Sequence, residues 1–247
     1  MEEPSDNLDT FNIIVHINEL FCQTEVTQYF KNDMEQPIEL EMILPQLSNC
    51  NITGFEIIKD NQKIISKILE KEKAKEKYVD TIISGHRGFI SYIEENDIKI
   101  CLGNFPPGEK LEIKTFYFSH IINKDLSYQA TFPVIFPDFQ MEDPKTDNSL
   151  GDYYYNKIKI NGKIYLNARS KITRLVISGS KNFTKIEKKI SQDKKNIEID
   201  FSKSEFHSTD IPGIILFRTE TINDDILYYQ CDPRKKKSYY MLQKTFN

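Results

Sequence analysis

The residues best equipped for chemistry in this 247-residue sequence are His86 and Arg87, which follow Ser84-Gly85 at the end of the charged run Lys71-Glu-Lys-Ala-Lys-Glu-Lys-Tyr78. A general base needs a positioned partner, and a nucleophile needs an activating neighbour. Neither accompanies this pair, since the chain has no Gly-x-Ser-x-Gly elbow and no cysteine–histidine signature. His16, His120 and His207 stand singly, without the spacing of a zinc site, and no glycine-rich phosphate loop occurs. Cys22, Cys50, Cys101 and Cys231 show no Cys-x-x-Cys spacing, and two of them sit inside apolar runs, so reduced and partly buried thiols are expected. The segment Asp147-Asn-Ser-Leu-Gly151 has Gly151 where a metal-adhesion motif needs serine, and it reads as a polar linker. No catalytic, cofactor-binding or metal-ligating residue is assigned. The chain reads as a binding module and not as an enzyme.

Charge narrows the partners. Lysines and arginines number 33 and acidic residues 37, a formal net charge of -4, which opposes any bulk preference for nucleic acid or an anionic membrane. The basic clusters Lys188-Lys189, Lys194-Lys195 and Arg234-Lys-Lys-Lys237 are expected at solvated turns. The acidic start, Met1-Glu-Glu-Pro-Ser-Asp6, lacks the basic-then-apolar order of a secretory signal. No apolar run approaches the roughly 18 residues that span a bilayer. The expectation is a soluble, cytoplasmic protein without membrane insertion, in which the sequons at Asn51 and Asn182 arise by chance in an Asn-rich chain.

The elements that position these residues are strands. Residues 11–18, 21–30, 38–44 and 52–58 alternate apolar and polar positions, as antiparallel strands do. In the stretch 68–84, Ala74, Tyr78 and Ile82 recur every four residues and share one helical face. Gly85 supplies the left-handed stop, and the helix end is expected to receive hydrogen bonds from His86 or Arg87. Strands resume at 88–93, 98–102, 111–118 and 126–132, with Pro106-Pro107-Gly108 as a turn. Prolines and polar residues at 133–156 mark a boundary. Beyond it, 157–166 is expected to form a hairpin, because Asn161-Gly162 suits a type I′ turn, and six further strands follow. The fold class is mainly β: antiparallel strands with one short charged helix, then a second β-rich unit.

Several motifs in fixed order carry a family likeness: Pro37-Ile-Glu-Leu-Glu-Met-Ile-Leu-Pro45, Gly54-Phe55, Glu72-Lys-Ala74 with Lys77-Tyr78, Ser84-Gly-His86, Gly103-Asn-Phe-Pro-Pro-Gly108 and Tyr128 to Pro133. In these the chain resembles the vault protein inter-alpha-trypsin (VIT) domain over about residues 11–137. Gly88 departs from the alanine that family members often carry there. The resemblance implies a VIT-like sandwich at 1–137, a linker at 138–156 and a VIT-associated β unit at 157–247. It also implies the N-terminal part of a protein in which a von Willebrand factor A-type domain follows, that domain being absent from these residues. The function implied is a non-catalytic intracellular interaction or scaffold module that docks through β surfaces onto a protein partner, whether a downstream A-type domain or a multi-subunit assembly. The alternative is a secreted, matrix-associated protein like the inter-alpha-trypsin inhibitors.

Overall fold

The computed structural model describes residues 10–32, 34–44, 50–59, 62–64, 69–94, 97–124, 127–133, 138–142, 159–178, 185–203, 213–220, 226–232 and 237–243. Among them the chain opens with β1 (Thr10–Ile17), β2 (Phe21–Lys31), β3 (Ile38–Leu44), β4 (Asn51–Lys59) and β5 (Gln62–Ile64), then the helix α1 (Lys71–Ile83). Next come β6 (Gly88–Glu94), β7 (Asp97–Phe105), β8 (Lys110–His120), β9 (Ile122–Lys124), β10 (Ser127–Phe132) and β11 (Asp138–Glu142). The remaining strands are β12 (Lys159–Asn167), β13 (Ile172–Ser178), β14 (Lys185–Ile190), β15 (Asn196–Lys203), β16 (Gly213–Thr219), β17 (Ile226–Asp232) and β18 (Lys237–Gln243).

The alternation in sequence becomes an alternation in burial. Phe11, Ile13, Val15 and Ile17 are buried along β1, as are Ile38, Leu40, Met42 and Leu44 along β3. β1 lies inside an eight-stranded sheet of order β14-β15-β12-β1-β2-β8-β4-β5. Two four-stranded sheets, β13-β16-β10-β9 and β11-β3-β7-β6, and the β17–β18 hairpin complete the described strands. Pairing is antiparallel except between β1 and β12, which run parallel with Phe11 opposite Ile160.

Strands from both sides of the expected 138–156 linker share sheets and core. Residues 138–142 form β11 on the edge of β3, β12 joins β1, and β16 joins β10. One buried apolar cluster runs from Phe11 and Leu40 to Phe201 and Phe217.

The expected hairpin at 157–166 is absent. Asn161-Gly162 lies inside the continuous strand β12, on which Ile160 and Ile164 are buried. Gly162 pairs with Phe201, whose ring takes the space a side chain would fill: a Cβ on Gly162 would meet the Phe201 ring at 1.9 Å. A close approach, and not a turn, explains this glycine.

Candidate functional site

Helix α1 has an apolar face of modest size, and two glycines make room for it. A Cβ on Gly103 would meet Ile82 Cδ1 at 2.3 Å and the Tyr78 hydroxyl at 2.7 Å, and one on Gly88 would meet Ile82 Cδ1 at 2.9 Å. Tyr78 and Ile82 therefore rest on bare backbone of β6 and β7, as their four-residue spacing implies. No residue of the helix is fully buried. Its C-terminal end is closed by main-chain bonds. The Gly85 N–H donates to Ile82 O at 2.9 Å and the His86 N–H to Thr81 O at 3.0 Å, the bond pair of a Schellman motif, with Gly85 at φ 75°.

The side chain that clasps this end is Asn104. Its Nδ2 donates to the carbonyls of Ile82 (2.9 Å) and His86 (2.8 Å), while its backbone holds φ 54°. Asparagine tolerates the left-handed region better than most residues. The expected role of His86 or Arg87 as side-chain donor to the helix end is corrected accordingly. Arg87 instead reaches Glu109, with Nη1 2.7 Å from Oε1.

Glu109 is an anchor in its own right. Its side chain is 9% exposed and is ion-paired by both Arg87 and Lys59. Two cations offset the cost of withdrawing the carboxylate from water. Its main chain joins a second hub, the fully buried Asn32, whose N–H donates to Glu109 O at 3.1 Å. Asn32 Nδ2 donates to Phe105 O (2.7 Å) and Gln36 O (2.9 Å), and Oδ1 accepts from the Met34 N–H (2.9 Å), so the amide is satisfied on both sides. The Pro106-Pro107-Gly108 turn is thereby fixed beside the helix.

Between α1, β6 and the β4–β5 edge lies a groove of about 570 Å³. Phe55, Ile57 and Ile64 wall one side, Phe89 and its β6 neighbours the other, and Ala74 and Tyr78 come from the helix. Lys77 and Arg87 also line it, and Arg87 Nε is buried with no acceptor. β6 is an end strand. Its residues pair with β7 through Gly88–Gly103 to Glu94–Asp97, and the Ile93 carbonyl, turned away from β7, accepts from Lys71 Nζ at 3.2 Å. Because alternate residues of an antiparallel strand address opposite neighbours, the N–H and C=O groups of Phe89 and Ser91 also point to the open edge.

The other candidate residues do not converge. His86 is exposed; His16 stacks on Tyr165 at 4.9 Å, and His120 meets Phe118 edge-on at 5.2 Å. His207 lies outside the described residues, as does the Asp147–Gly151 segment. Among the described residues no group of three or more His, Cys, Asp or Glu is placed to hold a metal ion, and no helix is long and apolar enough to cross a membrane. Cys22, Cys50 and Cys101 are free thiols. Burial pushes Cys22 and Cys101 up to about 11 and Cys50 up to about 12, which keeps them protonated and weakly nucleophilic. Lys194-Lys195 sits at a turn as expected, held by Asp193 Oδ1, which accepts from Ser191 Oγ (2.5 Å) and the Lys195 N–H (3.0 Å). Lys188-Lys189 belongs to β14 and not to a turn.

The family model described as "Vault protein inter-alpha-trypsin domain" matches residues 8–117. Among curated proteins, a von Willebrand factor A domain-containing protein of Dictyostelium discoideum is 33% identical over 115 residues, 46% of this chain and 12% of that protein. The von Willebrand factor A domain-containing protein 5A of Rattus norvegicus is 24% identical over 150 residues, 58% of this chain and 18% of the relative. The protein mono-ADP-ribosyltransferase PARP4 of Mus musculus is 28% identical over 130 residues, 52% of this chain and 6% of the enzyme. The chain thus spans less than a fifth of the length of each of these relatives.

Proposed function

We propose that the chain, whose residues 8–117 match the vault protein inter-alpha-trypsin domain model, is a non-catalytic, intracellular interaction module that docks onto a protein partner or larger assembly through its β surfaces and the helix lying on them. The observation that carries this reading is the set of large exposed apolar side chains on and beside α1 and β6. Leu69, Val79, Ile83 and Ile93 are 45%, 49%, 78% and 59% exposed. Leu69 lines the groove itself, and exposed apolar surface at a groove marks a protein-binding site.

The thiols favour the intracellular over the secreted alternative. Cys22, Cys50 and Cys101 are free thiols, Cys22 and Cys50 both buried. The relatives carrying von Willebrand factor A domains support an interaction role, whereas the PARP4 match covers too little of that enzyme to support transfer chemistry here.

Cross-linking in intact cells with a tagged chain tests the proposal. One protein in near-stoichiometric amount, linked through Lys73 or Lys77 of α1, is the expected result. A chain recovered alone, or one bearing glycans on Asn51 and Asn182, would sink it.

A further inference from the structure

Sheet edges are liabilities that proteins blunt with charge, shortness or irregularity. Most described edges of this chain follow that rule. β14 carries Lys185, Glu187, Lys188 and Lys189, β5 and β9 have three residues each, and β13 shifts register between Ile172 and Arg174. β6 breaks it. Its seven residues begin Gly-Phe-Ile-Ser-Tyr-Ile, with no charge of their own before Glu94, and the α1 lysines Lys71 and Lys75 meet only its Tyr92–Ile93 end. The outward main-chain groups of Phe89 and Ser91 have no backbone partner among the described residues. Directly beside this edge lies the groove, with Arg87 and Lys77 on its wall.

We propose that β6 is a strand-addition site: an extended segment of a partner protein pairs with Phe89 and Ser91, sends alternate apolar side chains into the groove and presents a carboxylate to Arg87. Backbone pairing supplies register-independent affinity, and side-chain pockets supply selectivity. The carboxylate follows from the two cations of the groove wall, the exposed Lys77 and Arg87, whose side chain keeps 28% of its surface open while Nη1 stays with Glu109. α1 forms one wall of the site, held close by Asn104. This inference rests on the interaction-module reading and assigns that module its contact.

The test uses the whole chain and capped synthetic peptides, matched to β6 in length, that alternate valine and threonine and carry one aspartate or one asparagine. Amide hydrogen exchange on the chain is the readout. Expected are slowed exchange at Phe89 and Ser91, about tenfold tighter binding of the aspartate peptide, and loss of that preference in Arg87→Gln. N-methylation of the peptide on the edge that faces β6 abolishes binding without altering the protein. Equal binding of the N-methylated peptide, or unchanged exchange at Phe89 and Ser91 with every peptide, overturns the proposal. So does protection at β6 that rises with chain concentration alone, which gives the edge to a second copy. A cellular partner cross-linked through α1 while the β6 amides exchange as in the free chain refutes strand addition and leaves the module reading standing. Absence of both partner and peptide binding removes both.

Discussion

The Asn104 side-chain amide donates to the Ile82 carbonyl at 2.9 Å across 22 residues of sequence, tying the last turn of α1 to the end of β7. The same nitrogen reaches His86 O, so one residue in a left-handed conformation clasps both sides of the helix stop.

Asn104→Ala removes these bonds and places a less tolerant residue at φ 54°. A loss of about 1–3 kcal/mol is expected in denaturant unfolding, with faster exchange confined to α1. Asn104→Gly keeps the backbone relaxed and loses only the clasp. Equal stability of wild type and Asn104→Gly would show that the amide bonds contribute nothing.

Gly103→Ala and Gly88→Ala separate the two supports of the helix. The added methyl of Gly103→Ala meets Ile82 at 2.3 Å and the Tyr78 hydroxyl at 2.7 Å, forcing the helix outward at a cost of about 1–3 kcal/mol. At Gly88 the same end of Ile82 stands farther off, at 2.9 Å, with the Tyr78 ring at 3.0 Å, so the second change is the milder. Thermal melts that rank them in reverse would contradict this packing.

Gly162→Ala drives a methyl into the Phe201 ring. A loss of about 3 kcal/mol or more is expected, partly restored by Phe201→Leu in the same chain. If Gly162 served a turn, the second change would only add damage, and the double variant would be the less stable.

Alkaline pH should weaken the fold. Burial raises Cys22 from the ordinary 9.0 to about 11 and Cys50 to about 12, so the native state keeps protons that the unfolded chain releases. Their stabilising effect is full below pH 9 and is lost as pH climbs through that window. Denaturation midpoints of the wild type should fall more steeply above pH 9 than those of the Cys22→Ala, Cys50→Ala double variant. Buried Tyr117, whose phenol is also raised by burial, leaves some slope in both. Parallel profiles would refute the assignment.

Much of this architecture was legible because its signals are local. Alternation at β1 and β3, the Ala74–Tyr78–Ile82 spacing and the stop at Gly85 each concern residues within a turn or a strand of one another. Asn161-Gly162 misled for the opposite reason: a ring arriving from Phe201 imitates the composition of a turn. The groove was equally hidden, since Phe55, Ile64, Tyr78 and Phe89 converge only after distant strands pair. Asn104 lay within a motif that marks the family, but its reach to Ile82 is a tertiary fact that spacing does not encode.

The parallel β1–β12 pairing also governs how the protein is made. Phe11 leaves the ribosome well before its strand partner Ile160, 149 residues later (160 minus 11). At translation rates of about 5–20 residues per second, one flank of the first strand stays unfilled for on the order of 10 s. A nascent chain must therefore shelter that flank, and a gene trimmed to the 8–117 family match would leave it bare permanently.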